Sequence, residues 1–202
     1  MSHCNTEAVE LNVLRQGPEP LPEPPRSGAL LDILVSDALT RYWILKRPVG
    51  LASAAELDLY AEDRFSEIFG DDPAQWTLRV DPLPRADYWL ACAIPRLFAV
   101  DLPQAATARG WRVRRVQPQF VRDFNHHCAA LARNAAFCVA SRESTTIGLI
   151  ADGNWREIRV HPPLDHDVTS LSTLLQRDCR QAGMSAADLQ PVIVGELREA
   201  AR

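Results

Sequence analysis

No apolar run in the 202-residue chain approaches the roughly 18 residues that a membrane-spanning helix needs. The N-terminus, MSHCNTEAVE, also lacks the basic-then-apolar order of a secretory leader. These absences set the expectation of a cytoplasmic protein without direct membrane insertion. Excess positive charge is missing too, the net charge being -4. A protein that tracks a phosphate backbone needs a basic surface to displace counterions, so a nucleic-acid partner is not expected. Arg112, Arg114 and Arg115 do cluster in WRVRRV, but an alternating strand ordinarily turns such charges to water.

Metal-like cysteine spacing is absent. Cys4, Cys92, Cys128, Cys138 and Cys179 are odd in number and include no CxxC pair, which fits free thiols in a reducing compartment. Neither GxGxxG nor GxxxxGK[ST] occurs, so the glycine-rich turns that bring backbone amides to a phosphate have no recognisable counterpart. A GxSxG elbow is likewise lacking, and Ser141 and Ser144 have no identifiable base. No cofactor or metal is expected from these patterns.

What the chain does have is an ordinary globular balance, 47% hydrophobic and 24% charged, enough for a packed core. Residues 1–28 end in QGPEPLPEPPRSG; the prolines remove backbone donors and favour extended geometry, so this stretch reads as a flexible tail before a single α/β domain over 29–202. LLDILVSD and TRYWILKRP read as two neighbouring strands or one interrupted strand. In SAAELDLYAEDRFSEIFG, Ser53 and Glu56 form a capping box and Gly70 supplies a stop, the firmest helix of the chain.

WTLRVDP and DYWLACAIP follow as strands, then a helix that Pro103 kinks or splits, the strand WRVRRVQP, and a helix in QFVRDFNHHCAALA. Asp152-Gly153 between two alternating runs predicts an antiparallel hairpin of Thr145 to Ala151 with Trp155 to His161. A helix carrying Val168, Leu171, Leu174, Leu175 and Cys179 and a strand at Val192 to Val194 close the pattern. The order predicts a mixed β-sheet with flanking helices rather than strict parallel alternation.

Two histidine groups invite a metal reading. His126 and His127 are adjacent, which points their imidazoles about 100° apart on a helix. His161, Asp165, His166 and Asp167 share HPPLDHD, where capping of the following helix by Asp165 or Asp167 is the simpler role. A metal-dependent hydrolase or transferase built on these side chains requires them to converge in space. A homodimeric structural domain is the third alternative.

The order of elements from about Leu34 to Val160 resembles the actin-like (RNase H-like) cytoplasmic domains of the type IV pilus PilM and type II secretion GspL families. The resemblance rests on LVSDALTRYWILKRP, SAAELDLYAEDRFSEIFG, WTLRVDP, YWLACAIP, PRLFAVDLPQAATARGWRVRRVQP and the ADGNWREIRV hairpin. It implies an actin-like half with a small inserted α/β subdomain at about 49–95. Actin-like ATPases hold phosphates on two Asp-Gly hairpin loops. The first would fall in the proline-rich stretch here and the second at Val139 to Thr146, which reads VASRESTT, so ATPase activity is not expected.

The resemblance further implies a non-catalytic scaffold, or adaptor, of a bacterial envelope assembly. Its partner would be a protein, namely the short cytoplasmic tail of an inner-membrane component, which would hold the scaffold peripherally at that membrane. A groove between the main sheet and the Ser53 to Phe69 segment, with Tyr42, Trp43, Phe65, Phe69 and Trp76 exposed for a peptide, is the expected docking site.

Overall fold

The computed structural model describes residues 8–15, 17–18, 20–50, 53–82, 87–164 and 168–195. In chain order its first elements are strands β1 (Val9–Leu14), β2 (Gly17–Pro18), β3 (Leu30–Val35) and β4 (Arg41–Lys46), helix α1 (Ala54–Phe69), and strands β5 (Trp76–Asp81) and β6 (Tyr88–Pro95). Helix α2 (Leu102–Ala108), strand β7 (Arg112–Pro118) and helix α3 (Gln119–His127) follow. The last part contains β8 (Ala135–Ala140), β9 (Thr145–Ala151), β10 (Asn154–His161), α4 (Val168–Gln181) and β11 (Gln190–Gly195).

The strands make three sheets, ordered β2-β1-β3-β7, β10-β9-β8-β11 and β4-β6-β5. In the first, β1, β3 and β7 run parallel and β2 antiparallel. In the second, β8, β9 and β10 form an antiparallel meander and β11 lies parallel to β8. The third is antiparallel throughout. The chain is thus α/β with mixed sheets and flanking helices, as the order of sequence elements predicts.

The proline-rich reading of residues 1–28 needs correction. Leu11 and Val13 alternate with Glu10 and Asn12, and that period of two builds β1 beside β3 with Leu11 and Val13 fully buried. The prolines begin only after the strand, and their segment is anchored too: the Trp111 indole N–H donates to the Pro22 carbonyl at 2.9 Å, and Leu21 packs on the core of Ile33, Phe98 and Trp111. Beyond Pro18, which pairs with Val13, the prolines leave their segment without regular strand but not without packing.

The stretch 49–95, expected as an insertion, does not hold its sheet by itself. β4, from Arg41, pairs along β6 and belongs to the three-stranded sheet, on which α1 lays Leu57, Ala61 and Phe65. A 3-10 turn at Asp37–Leu39 separates β3 from β4, so LVSDALTRYWILKRP spans two strands in two different sheets. α1 is bounded as its sequence predicts: Ser53 Oγ accepts the Glu56 N–H at 3.2 Å, and Gly70 stops it at φ 68°.

The helix expected to kink or split at Pro103 is divided there into two helical types without a gap. A π turn at Leu97–Asp101 runs directly into α2, and Pro103 stands just past that change of helix type, where the looser π turn accommodates the N–H it lacks. The β9–β10 hairpin turns on Asp152 and Gly153 at φ 54° and 76°, the paired positive values of a tight type I′ connection. Within β9, a Cβ on Gly148 would lie 2.7 Å from both Phe120 Cζ and Trp155 Cζ3. Only glycine lets those rings rest on the strand.

Candidate functional site

The carboxyl ends of β1, β3, β7, β8 and β11 converge on one cleft of about 330 Å³. Leu14, Ser36, Gln119, Ala140 and Gly195 stand on its walls, one from each strand end. Open α/β sheets bind ligands outside the carboxyl ends of their strands, which makes this the natural ligand position of the fold. Gly195 lies so close to β8 that a Cβ there would sit 2.0 Å from the Ala140 carbonyl oxygen.

Two tight turns face each other across the cleft. β1 and β2 pair antiparallel, Leu14 opposite Gly17, so a small hairpin stands where the sequence suggested only a proline-rich tail. The second turn, between β8 and β9, is held by its own serine: Ser141 Oγ accepts the N–H groups of Glu143 at 3.3 Å and Ser144 at 3.2 Å. From it the Glu143 carboxylate reaches over and accepts the Arg15 N–H, 2.9 Å to one oxygen and 3.1 Å to the other. The backbone donor of the first turn is taken by an internal anion.

Beneath the cleft, Asp37 ties the three sheets together. Its Oδ1 accepts the Tyr42 hydroxyl at 2.5 Å and the Phe120 N–H at 3.0 Å, while Oδ2 accepts the Thr146 hydroxyl at 3.1 Å. These donors come from β4, α3 and β9, and Asp37 itself is 1% exposed. Desolvation by burial outweighs the three donors and pushes the carboxyl up to about 6. The nearby Asp123 charge acts in the same direction. Sequence reasoning passed over Asp37 because its partners lie 5, 83 and 109 residues away.

The predicted docking aromatics divide by depth. Tyr42, Trp43 and Phe65 are 7%, 4% and 0% exposed; they fill cores and present no surface to a peptide, which corrects the expectation that all five are exposed. Phe65 touches Trp43, Phe69 and Trp76 at ring-centroid separations of 5.5, 5.2 and 5.6 Å. Phe69 and Trp76 are half-buried at the rim of this cluster. Arg41 lies over both rings, 5.8 and 5.3 Å from their centroids, and pairs with Asp71 at 3.4 Å.

Beside that rim, Asp58 and Glu62 of α1 and Trp76, Leu78 and Arg79 of β5 enclose a groove of about 250 Å³. β5 is the outer strand of its sheet. The groove therefore runs between α1 and the free side of β5 rather than between α1 and the larger sheets.

The histidines do not gather. His126 and His127 each place Nδ1 on the carbonyl four residues back in α3, at 2.7 and 2.8 Å. His161 instead meets Asp178 of α4, Nε2 to Oδ2 2.6 Å, and Asp178 is fully buried. Asp165, His166 and Asp167 lie outside the described residues. Among the described residues no three His, Cys, Asp or Glu side chains are grouped to hold a metal ion, and no helix is long and apolar enough to cross a membrane.

Three solved structures place this architecture. The chain matches a Bacteroides thetaiotaomicron protein of actin-like ATPase fold at TM-score 0.54 and 9% identity, covering 84% of this chain and 61% of that one. The cytoplasmic domain of EpsL, an inner-membrane component of the type II secretion system of Vibrio cholerae, matches at 0.53 and 15%, covering 85% and 65%. A chain of the PilM–PilN type IV pilus biogenesis complex matches at 0.53 and 13%, covering 75% and 47%. The fold is actin-like.

At these identities the likeness is one of fold, and the chain spans less than two-thirds of the length of each of the three matched structures. No protein-family model and no curated protein sequence matches it. The resemblance read from the order of sequence elements thus meets its counterpart in the architecture, with EpsL and PilM among the structural neighbours.

Proposed function

We propose that this protein is a non-catalytic scaffold of a bacterial envelope assembly, of the pilus or secretion type, that docks the short cytoplasmic tail of an inner-membrane protein. The observation that carries the reading is the Glu143 carboxylate on the Arg15 N–H across the cleft. In an actin-like fold the two turns that flank this cleft are the ones available to a nucleotide's phosphates. Here an anion of the protein's own occupies the donor, and an incoming phosphate would meet that carboxylate's repulsion. The domain keeps the architecture and spends the slot on holding its halves together.

Docking then falls to the groove of α1 and β5. An extended tail can add along the free edge of β5 by main-chain hydrogen bonds while Phe69 and Trp76 at the rim take its apolar side chains. The cytoplasmic face of the inner membrane, reached through that partner, is the place such a scaffold would work.

A thermal-shift titration with Mg-ATP tests the non-catalytic half of this reading, because a ligand that binds only the folded state raises the melting temperature. The expected result is no shift at millimolar nucleotide and no phosphate release above buffer. A saturable upward shift, or hydrolysis that disappears in Ser141→Ala, would restore a nucleotide switch and remove the scaffold reading.

A further inference from the structure

A second surface lies on the molecule's first sheet, apart from the α1–β5 groove, which belongs to another sheet. β7 is the outer strand of that sheet. Val113 and Val116 turn to the core packed under the sheet, whereas Arg112, Arg114 and Arg115 are exposed. Their arrangement depends on a bulge. Leu31 pairs with Val113, but the next residue, Asp32, pairs with Arg115, so Arg114 is an extra residue in the ladder. A bulge sets two residues against one on the neighbouring strand, and here both Arg114 and Arg115 come to the single carboxylate of Asp32.

That carboxylate does not neutralise the strand. Arg114 grips Asp32 with two nitrogens, Nε to Oδ1 at 2.8 Å and NH2 to Oδ2, and Arg115 Nε lies 3.6 Å from the same Oδ2. Arg114 and Arg115 remain 42% and 48% exposed while Asp32 is 10% exposed. Arg112 is exposed and makes no ion pair with a described residue. Three guanidinium groups thus stand exposed along the strand, two of them on one buried carboxylate, in a chain whose net charge is -4.

Charged residues on an outer strand also discourage pairing with another copy. One or two suffice for that purpose, and a bulge that concentrates two of them on one acid adds nothing to it. A planar guanidinium with free N–H groups is a carboxylate receptor, offering two parallel bonds. The open edge of β7 supplies main-chain donors and acceptors alongside.

We infer that the arginine face and outer edge of β7 form a docking surface for an extended acidic segment of a partner protein. The strand edge selects a polypeptide, and the three arginines select its carboxylates. A duplex nucleic acid lacks the backbone amides to use that edge, and it would face an otherwise acidic protein. This surface is distinct from the groove proposed for the membrane-protein tail and stands or falls separately.

The test uses the full chain and a fluorescein-labelled peptide of alternating Glu and Val, followed by fluorescence anisotropy. Saturable binding is expected, weakening steeply with added salt as exposed ion pairs are screened. The variant Arg112→Glu removes a side chain without an ion pair to a described residue, so its melting temperature should match the parent while affinity falls about tenfold or more. Arg115→Gln, which leaves the Arg114–Asp32 pair intact, should weaken binding with an unchanged melt. Absence of saturable binding, or binding that ignores both variants, overturns the proposal. So does tighter binding of a duplex oligonucleotide or of phosphatidylserine vesicles than of the peptide, which would assign the arginines to another class of partner.

Discussion

Replacing Asp37 with alanine is expected to destabilise the domain by about 3 kcal/mol at neutral pH, and replacing it with asparagine by less than about 1 kcal/mol. The alanine variant strands three buried donors, the Tyr42 hydroxyl, the Phe120 N–H and the Thr146 hydroxyl, each costing ~1–3 kcal/mol when left unpaired. Part of that loss is offset because the variant no longer holds a desolvated carboxylate ionised. Asparagine keeps the volume and the acceptor for Tyr42 and Phe120. Its amide can donate to Thr146, whose hydroxyl is able to accept.

The pair of variants also isolates a pH dependence. The folded Asp37 carboxyl is raised to about 6 from 3.8, so between those values the folded state holds a proton that the unfolded chain has released. Stability from this group therefore increases as pH falls from about 6 towards 3.8, and the cost of ionising it is fully present above 6. Wild type should gain on Asp37→Asn across that window by up to ~3 kcal/mol, at ~1.4 kcal/mol per unit. Other carboxylates cancel in the difference. Urea denaturation of both proteins at pH 7.5 and pH 4.5 measures it, and a difference that stays constant with pH would show that Asp37 titrates as an ordinary surface acid.

Phe65→Ala is expected to cost ~3–5 kcal/mol, the range for deleting a fully buried aromatic ring from a close-packed site. Phe65 is 0% exposed and touches Trp43, Phe69 and Trp76, so its removal takes out the ring that joins α1 to β4 and β5. Loss should concentrate in α1 and the three-stranded sheet, visible as faster amide exchange in α1, β5 and β6 than in β8 or β9. Phe69→Ala and Trp76→Ala, at the half-buried rim, should cost less stability and more docking. If Phe65→Ala melts like the parent, the aromatic cluster is not the core between α1 and the three-stranded sheet.

How much of this was legible in the sequence depended on the range of the interactions. α1 and the β9–β10 hairpin are fixed by residues within a few positions of one another, Ser53 with Glu56 and Asp152 with Gly153, and both stand where those signals place them. β1 carried its signal too, in the alternation of Leu11 and Val13, but the prolines that follow it dominated the reading of that stretch. Prolines forbid ladder bonds only where they stand. The strand ends before them.

The site was less legible because its geometry is non-local. Nothing in VSDALT tells that Asp37 will meet Thr146, or that Glu143 in the SREST turn will reach Arg15, 128 residues away. Aromatic residues near strand ends suit either a core or an interface, and only packing decides that Phe65 lies beneath Phe69 and Trp76. The arginines of β7 were visible, but the bulge that aims two of them at Asp32 follows from pairing with β3, which no local pattern encodes.

Photo-crosslinking from position 76 tests the docking scaffold most directly. With a benzophenone amino acid in place of Trp76, irradiation in cells should yield an adduct that fractionates with the inner membrane, mapped to the short cytoplasmic tail of a single membrane protein. The same group at the exposed Ile193 of β11 should give no such adduct. Crosslinking from position 76 only to a second copy of this chain, or to nothing while position 193 captures the membrane protein, would contradict the account.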